Sequence, residues 1–158
     1  IQRGRALTIG VNKWDGLSPT WRRQVEAQLE RRLEFASFAS VHYISALHGS
    51  GISDLVKTAL STYKAAGKNL PTPRLNRILA DALMAHPPPV VRGRRVRLRY
   101  AHQGGRYPPV IVVHGNQAER LPGHYRRYLT NTFRRKFGLE GAALRVEFKS
   151  GQNPYSAK

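Results

Sequence analysis

The sequence predicts two architectures in succession, an α/β unit followed by an α+β unit. Three observations predict this. Residues 7–60 alternate short apolar runs with stretches whose apolar residues recur at helical spacing. That strand–helix–strand–helix order implies a parallel sheet covered by helices. Residues 67–73, Gly-Lys-Asn-Leu-Pro-Thr-Pro, then break both periods. Beyond them the pattern reads helix–strand–strand–helix–strand, a layer of two helices on three strands. The expected division is residues 1–68, a linker over 69–73, and residues 74–158.

Each element has its own signal. Leu7 to Val11 is unbroken in its apolar character and reads as a buried strand. Ser18 can cap a helix that has Pro19 at its first position, with Trp21, Val25, Leu29 and Leu33 forming one apolar face. Val41 to Ser45 is a second strand. Gly49-Ser50-Gly51 is a turn, and Ile52, Leu55, Val56 and Leu60 mark a second helix. Two strands are few for a domain of this class, and the chain opens with Ile1 and has a strand under way by Leu7. The expectation is a piece of a longer protein whose earlier part is missing.

In the second half, Thr72-Pro73 opens a helix with Leu75, Ile78, Leu79, Ala82 and Leu83 inward. Pro87-Pro88-Pro89 ends it. Residues 95–100 alternate, with Val96, Leu98 and Tyr100 on one face and Arg95, Arg97 and Arg99 on the other. Gly104 to Pro109 is a turn, and Val110 to His114 returns as a hairpin. Pro122 starts a helix with Tyr125, Leu129, Phe133 and Phe137 inward. Leu144, Val146 and Phe148 form a last strand, and the tail from Gly151 reads as irregular.

The chain carries 27 basic and 9 acidic residues, a formal charge of +18. The surplus is uneven: residues 1–70 carry a net +5 and residues 71–158 a net +13. A charge of this size calls for a polyanionic partner, and nucleic acid is the first candidate. The absence of cysteine excludes disulfides, thiolate metal sites and cysteine nucleophiles, and fits a cytoplasmic setting. No apolar run approaches the ~20 residues of a membrane span, and no membrane partner is expected.

Two short motifs carry chemistry. Asn12-Lys13-Trp14-Asp15 sits directly behind the first strand. Guanine presents an N1–H and an exocyclic amine side by side, and one carboxylate, Asp15, can accept both in charge-assisted hydrogen bonds. A base with the opposite pattern leaves that carboxylate unpaired and is rejected. Asn12 can brace the loop, and the stem of Lys13 can cover the face of the base. Ser45-Ala46-Leu47 follows the second strand. In a parallel sheet both loops emerge at one edge, where ligands bind in open α/β folds. The Ala46 N–H could then donate to guanine O6, and Ser45 could hold the loop.

These residues resemble the fourth and fifth guanine-nucleotide motifs of the P-loop GTPases. The second half narrows the resemblance. Arg74-Leu-Asn-Arg-Ile-Leu79, His86-Pro-Pro-Pro89, Leu98-Arg-Tyr-Ala-His-Gln-Gly-Gly105, Pro108-Pro109, His114-Gly-Asn116, Tyr125-Arg-Arg-Tyr-Leu129 and Gln152-Asn-Pro-Tyr155 look like the C-terminal part of the bacterial Der (EngA) GTPase family. The resemblance covers essentially the whole chain. It implies tandem GTPase domains followed by a KH-like domain, acting in assembly of the large ribosomal subunit. Residues 1–68 would be the C-terminal portion of a GTPase domain and residues 74–158 the KH-like domain. GTP or GDP with Mg²⁺ would be the cofactors of the intact protein, and ribosomal RNA and the missing GTPase domains its partners.

Some of the family's machinery is absent from this sequence. A phosphate-binding loop needs Gly-x-x-x-x-Gly-Lys-Ser/Thr, but Gly67-Lys68 is followed by Asn69 and lacks the earlier glycine. No Asp-x-x-Gly segment serves the Mg²⁺ side, so the Mg²⁺ ligands are not in this chain. The intact protein is expected to hydrolyse GTP and this chain alone is not; it contains no catalytic residue by this reading.

A KH module clamps nucleotides with a Gly-x-x-Gly loop. Gly138-Leu-Glu-Gly141 has that spacing but carries Glu140 and precedes a strand, so it reads as a helix C-terminal turn. RNA contact then falls to Arg126, Arg127, Arg134, Arg135 and Lys136 on the last helix. The stripe of Arg95, Arg97 and Arg99, with Arg145 and Lys149 as candidates to lie beside it, reads equally as an RNA contact or a docking face. Tyr107 and Tyr155 could stack on bases. The six histidines show no metal spacing, and no metal site is expected. The competing functional reading is a constitutive RNA-binding module whose GTPase-like half is only scaffold.

Overall fold

A computed structural model describes residues 4–91 and 93–151, and the expectations for Gln152 to Tyr155, Tyr155 included, fall outside that range. The expected α/β and α+β layout is present. The first half runs β1 (Thr8–Val11), α1 (Pro19–Arg32), β2 (Ser40–Tyr43) and α2 (Ile52–Ala66). β1 and β2 pair in parallel, Thr8 opposite Ser40 through Val11 opposite Tyr43. Ser18 caps α1, its hydroxyl accepting from the Trp21 amide at 3.4 Å, with Pro19 at the first position.

The apolar faces of this half differ from the sequence pattern. β1 is half-buried, not buried, and no residue of α1 is buried. Val25, Leu29 and Leu33 are half-buried, while Trp21 is 60% exposed. In α2 the expected Val56 and Leu60 are exposed, and the buried positions are Thr62, Ala65 and Ala66 near its C-terminus. A two-stranded sheet covers only one stripe of each helix, and the C-terminal turns of α2 pack instead on the second half.

The second half follows with α3 (Thr72–Ala85), a short hairpin of β3 (Val90–Val91) and β4 (Arg94–Arg95), then β5 (Arg97–Gly105), β6 (Val110–Asn116), α4 (Gly123–Phe137) and β7 (Arg145–Ser150). β5, β6 and β7 form one sheet in that order, antiparallel then parallel. α3 and α4 lie on one face and enclose the core, in which Leu75, Leu79, Val96, Ile111, Val113, Leu129 and Phe133 are fully buried. Burying each such side chain contributes about 1.5–3 kcal/mol before entropy is counted. The Tyr125 hydroxyl donates to the His86 carbonyl at 2.6 Å, and burial pushes its pKa up to about 12, so it stays a donor through the neutral range.

The expected alternation of residues 95–100 is broken in two places. Arg95 belongs to the small hairpin, and a register shift between Leu98 and Tyr100 makes Arg99 the extra residue of a bulge. The bulge sends Ala101, rather than Tyr100, into the core. Tyr100 joins His102 and His114 on the opposite face, ring centroids 5.1–6.2 Å apart. On the free edge of β5, Asn76 takes over the unpaired backbone: its Nδ2 donates to the Ala101 carbonyl at 3.0 Å and its Oδ1 accepts from the Ala101 amide at 2.9 Å. Sheet edges left unpaired invite foreign strands, and this amide blocks one.

Several contacts join the halves. The Leu7 amide donates to the Gly141 carbonyl at 2.9 Å, and the Gly141 amide donates to the Phe38 carbonyl at 2.8 Å. Gly141 has φ +72, and a Cβ there would meet Thr62 Cγ2 at 2.5 Å and Leu7 O at 3.1 Å. Only glycine combines that backbone with so little room. Lys68 Nζ donates to the carbonyls of Phe137 and Gly138 at 3.0 and 2.9 Å, and the Tyr107 amide donates to Ala66. Gly138 ends α4 in the left-handed conformation, with the Leu139 amide returning to Arg134. The Gly-x-x-Gly segment is thus a helix stop at its first glycine and a junction between halves at its second.

Candidate functional site

The loops after β1 and β2 lie side by side at the C-terminal edge of the parallel pair. The strand ladder continues into them: the Ile44 amide donates to Val11 and the Trp14 amide to Ile44, at 2.8 and 3.1 Å. Asn12 Oδ1 accepts from the Lys13 amide at 2.8 Å and from the Ala46 amide at 2.9 Å. One side chain therefore closes its own turn and ties it to the second loop. Lys13 is held at φ +65, a conformation rare outside glycine that concentrates at functional loops. A hollow of about 270 Å³ opens between the loops, lined by Asn12, Lys13, Asp15, Gly16, Ser45 and Leu47.

Asp15 stands at this hollow as an ionised acceptor. The Ser45 hydroxyl donates to it, its loop backbone and His48 add to the effect, and together they hold the carboxyl below the usual range against the opposing pull of burial. His48 Nε2 lies 3.3 Å from Asp15 Oδ2. Ser45 is itself buried, and its Oγ accepts from the His48 amide at 3.3 Å.

The Ala46 amide departs from expectation. Instead of standing free for guanine O6, it donates to Asn12 Oδ1, the nearer acceptor across the two loops. Leu47 is 86% exposed at the rim. Trp14, given no role by the sequence pattern, anchors the motif. Its ring stacks on Tyr43 at 4.0 Å, the Arg22 guanidinium lies 5.6 Å above it, and Arg22 donates to the Trp14 carbonyl at 3.3 Å. Nothing in the sequence links residues 14, 22 and 43; the parallel register brings them together.

The basic candidates separate into two groups. Arg126 is spent on structure: Nε donates to Leu121 at 2.9 Å, another nitrogen reaches the Glu119 carbonyl, and the guanidinium covers Phe148. Arg134 lies half-buried over Phe38 and donates to Asn131 at 3.0 Å, and burial lowers its pKa despite Glu140. Both are candidates for RNA by sequence; each is half-buried, with an aromatic ring beneath it and a backbone or amide acceptor already engaged. Arg127, Arg135 and Lys136 are exposed.

Arg95, Arg97 and Arg99 are also exposed and line a groove of about 360 Å³ floored by Leu83, Pro87, Pro88 and Leu98. Arg145 and Lys149 are not beside them, because β6 lies between β5 and β7. Tyr107 packs near Tyr63, ring centroids 5.3 Å apart.

Residues 69–149 match the family model described as the KH-domain-like C-terminal domain of EngA bacterial GTPase enzymes. The chain belongs to this family. Curated relatives of the EngA family match over the whole chain. The GTPase Der of Azotobacter vinelandii is 53% identical over 158 residues, all of this chain and 32% of the relative. The GTPase Der of Marinobacter nauticus is 52% identical over all of this chain and 33% of its own length. That of Cellvibrio japonicus is 51% identical over all of this chain and 34% of its own length. The chain spans about a third of the length of these EngA-family relatives.

Among the described residues, no three His, Asp or Glu side chains converge as a metal site requires, and no helix is long and apolar enough to cross a membrane.

Proposed function

We infer that residues 1–68 read the guanine base of a GTP or GDP and that residues 74–158 carry this reader's contact with ribosomal RNA. The observation that carries the reading is the pair of loops braced by Asn12, with an ionised Asp15 facing a base-sized hollow. Asp15 would accept the N1–H and the exocyclic amine. Lys13 would cover the base, and Ser45 would hold the carboxylate in place. Ala46 and Leu47 would frame the far side.

The Der relatives are named as GTPases and are about three times as long. We propose that the full-length protein hydrolyses GTP with Mg²⁺ and acts in assembly of the large ribosomal subunit in the cytoplasm. This chain would be a portion of its last GTPase domain plus the KH-like domain. The phosphate and metal ligands would come from preceding segments, so that the chain alone is inactive.

For RNA, exposure selects Arg127, Arg135 and Lys136 on α4 and Arg95, Arg97 and Arg99 along the groove. Arginine pairs with phosphate through two donors. Replacing either set of three with alanine in the full-length protein is expected to weaken RNA binding. The slope of log affinity against log salt should become shallower by about 2, close to 0.7 for each single-strand phosphate that is no longer neutralised. RNA affinity measured across a salt series decides it: unchanged slopes for both sets would remove RNA contact from this half.

Measuring the same affinity with GDP and with a non-hydrolysable GTP analogue tests the coupling. A difference supports nucleotide control, and equal affinities leave the constitutive RNA-binding reading.

A further inference from the structure

Asp15 has a second suitor within the protein. His48, the third residue after Ser45, brings Nε2 to 3.3 Å from Asp15 Oδ2. Its approach is built rather than casual. The His48 amide donates to Ser45 Oγ at 3.3 Å, and the Ser45 hydroxyl donates to Asp15, so histidine, serine and carboxylate form a closed ring of contacts at the mouth of the hollow. A carboxylate that reads guanine presents both oxygens to two N–H donors. Here one oxygen lies against an imidazole, and a hydroxyl already draws on the group. Each oxygen has two lone pairs, so a base is not shut out. It must nevertheless share an acceptor whose charge a protonated imidazole partly neutralises.

We propose that His48 competes with the base for Asp15, its protonated form holding the carboxylate and its neutral form releasing it, so that this side chain sets the affinity for a guanosine nucleotide as pH changes. The proposal rests on the guanine reading of Asp15. Imidazole is the ordinary side chain that changes charge between about pH 5 and 8. Asp15 is held below its usual range and stays ionised across that window. The other charge acting on Asp15 is the guanidinium of Arg22 on α1. Among the groups that act on Asp15, the histidine is the one whose charge can change between those limits.

The sign follows. Protonation stabilises the empty site through the ion pair, so acid weakens nucleotide binding and neutral to mildly alkaline pH strengthens it. Both partners are largely solvent-exposed, 61% for His48 and 39% for Asp15. The effect is that of an exposed ion pair, about two- to fivefold in dissociation constant.

The test uses the full-length protein with GDP as the probe. The imidazole of His48 is followed by nuclear magnetic resonance of labelled histidine across pH, with its signal assigned by its loss in His48→Gln. The expected result is that saturating GDP lowers the pH at which His48 titrates. In parallel, the ratio of GDP affinities at pH 8 and pH 6 should be about two- to fivefold smaller in His48→Ala than in the unsubstituted protein. A His48 titration that GDP leaves in place, or moves upward, overturns the proposal, as does weaker binding in His48→Ala. The guanine reading fails separately, if Asp15→Asn leaves base preference unaltered. An unmoved His48 beside a switched base preference removes this inference alone.

Discussion

Exchanging Asp15 for Asn is expected to turn the site from guanosine toward xanthosine nucleotides. Xanthine carries a carbonyl where guanine carries its exocyclic amine. The new amide can donate to that carbonyl and still accept from the neighbouring ring N–H. Guanine would instead meet a donor facing a donor. An unmatched donor facing guanine discriminates against it, and at a partly exposed carboxylate a loss of guanosine affinity of about 10-fold or more is the expected scale. Asn12 and Ser45 are untouched by the exchange, so the loop frame that Asn12 provides should persist. The measurement is calorimetric binding of GDP and xanthosine diphosphate to the full-length protein. The appearance of a xanthosine diphosphate site is the readout, and a guanosine site elsewhere in the protein does not mask it. Unchanged preference refutes the role given to Asp15.

The second large effect is structural. Gly141→Val is expected to destabilise the junction of the two halves by about 2–5 kcal/mol. About 1–2 of this comes from forcing a branched residue into the left-handed conformation, and the rest from overpacking against Thr62 and the Leu7 carbonyl. The amides of Leu7 and Gly141 should then lose protection in hydrogen exchange, since each donates across the junction. Gly123→Ala is the control: a Cβ at Gly123 meets nothing within 4 Å, at the first turn of α4. Protection at Leu7 equal in both variants would show that the junction does not depend on Gly141.

The second half is the more legible part of the sequence. Leu75, Ile78, Leu79 and Ala82 face the core as their spacing requires, and so do Tyr125, Leu129, Phe133 and Phe137. Those helices lie on a sheet wide enough to bury a whole stripe, and there periodicity reports burial directly. The first half is legible in its elements and poorly legible in its faces. Trp21, Val56 and Leu60 sit at helical spacing yet are exposed, because periodicity identifies a helix but not how much surface lies opposite it.

The bulge at Arg99 has no local signature. It is settled by where β5 must meet β6 and by Asn76, which meets the backbone at Ala101. At the site, Asn12, Asp15 and Ser45 are legible because each has a chemical task stated by its side chain. The engagement of Ala46 by Asn12, and of Asp15 by His48, depends on distances between loops about 30 residues apart, which the parallel register creates. Likewise Arg126 and Arg134 look like any other arginine in the sequence, and only the rings beneath them, Phe148 and Phe38, distinguish them from Arg127 and Arg135.

The stack of Tyr43, Trp14 and Arg22 gives the base-reading loop an optical handle. This chain contains two indoles, and one of them, Trp14, is next to Asp15 and in contact with a phenol and a guanidinium. The emission of an indole follows its solvent exposure and the charges around it. In a Trp21→Phe background, the colour of Trp14 should report directly on whether the neighbouring carboxylate has taken a ligand, and stopped-flow mixing would then time the arrival of a nucleotide without any added dye.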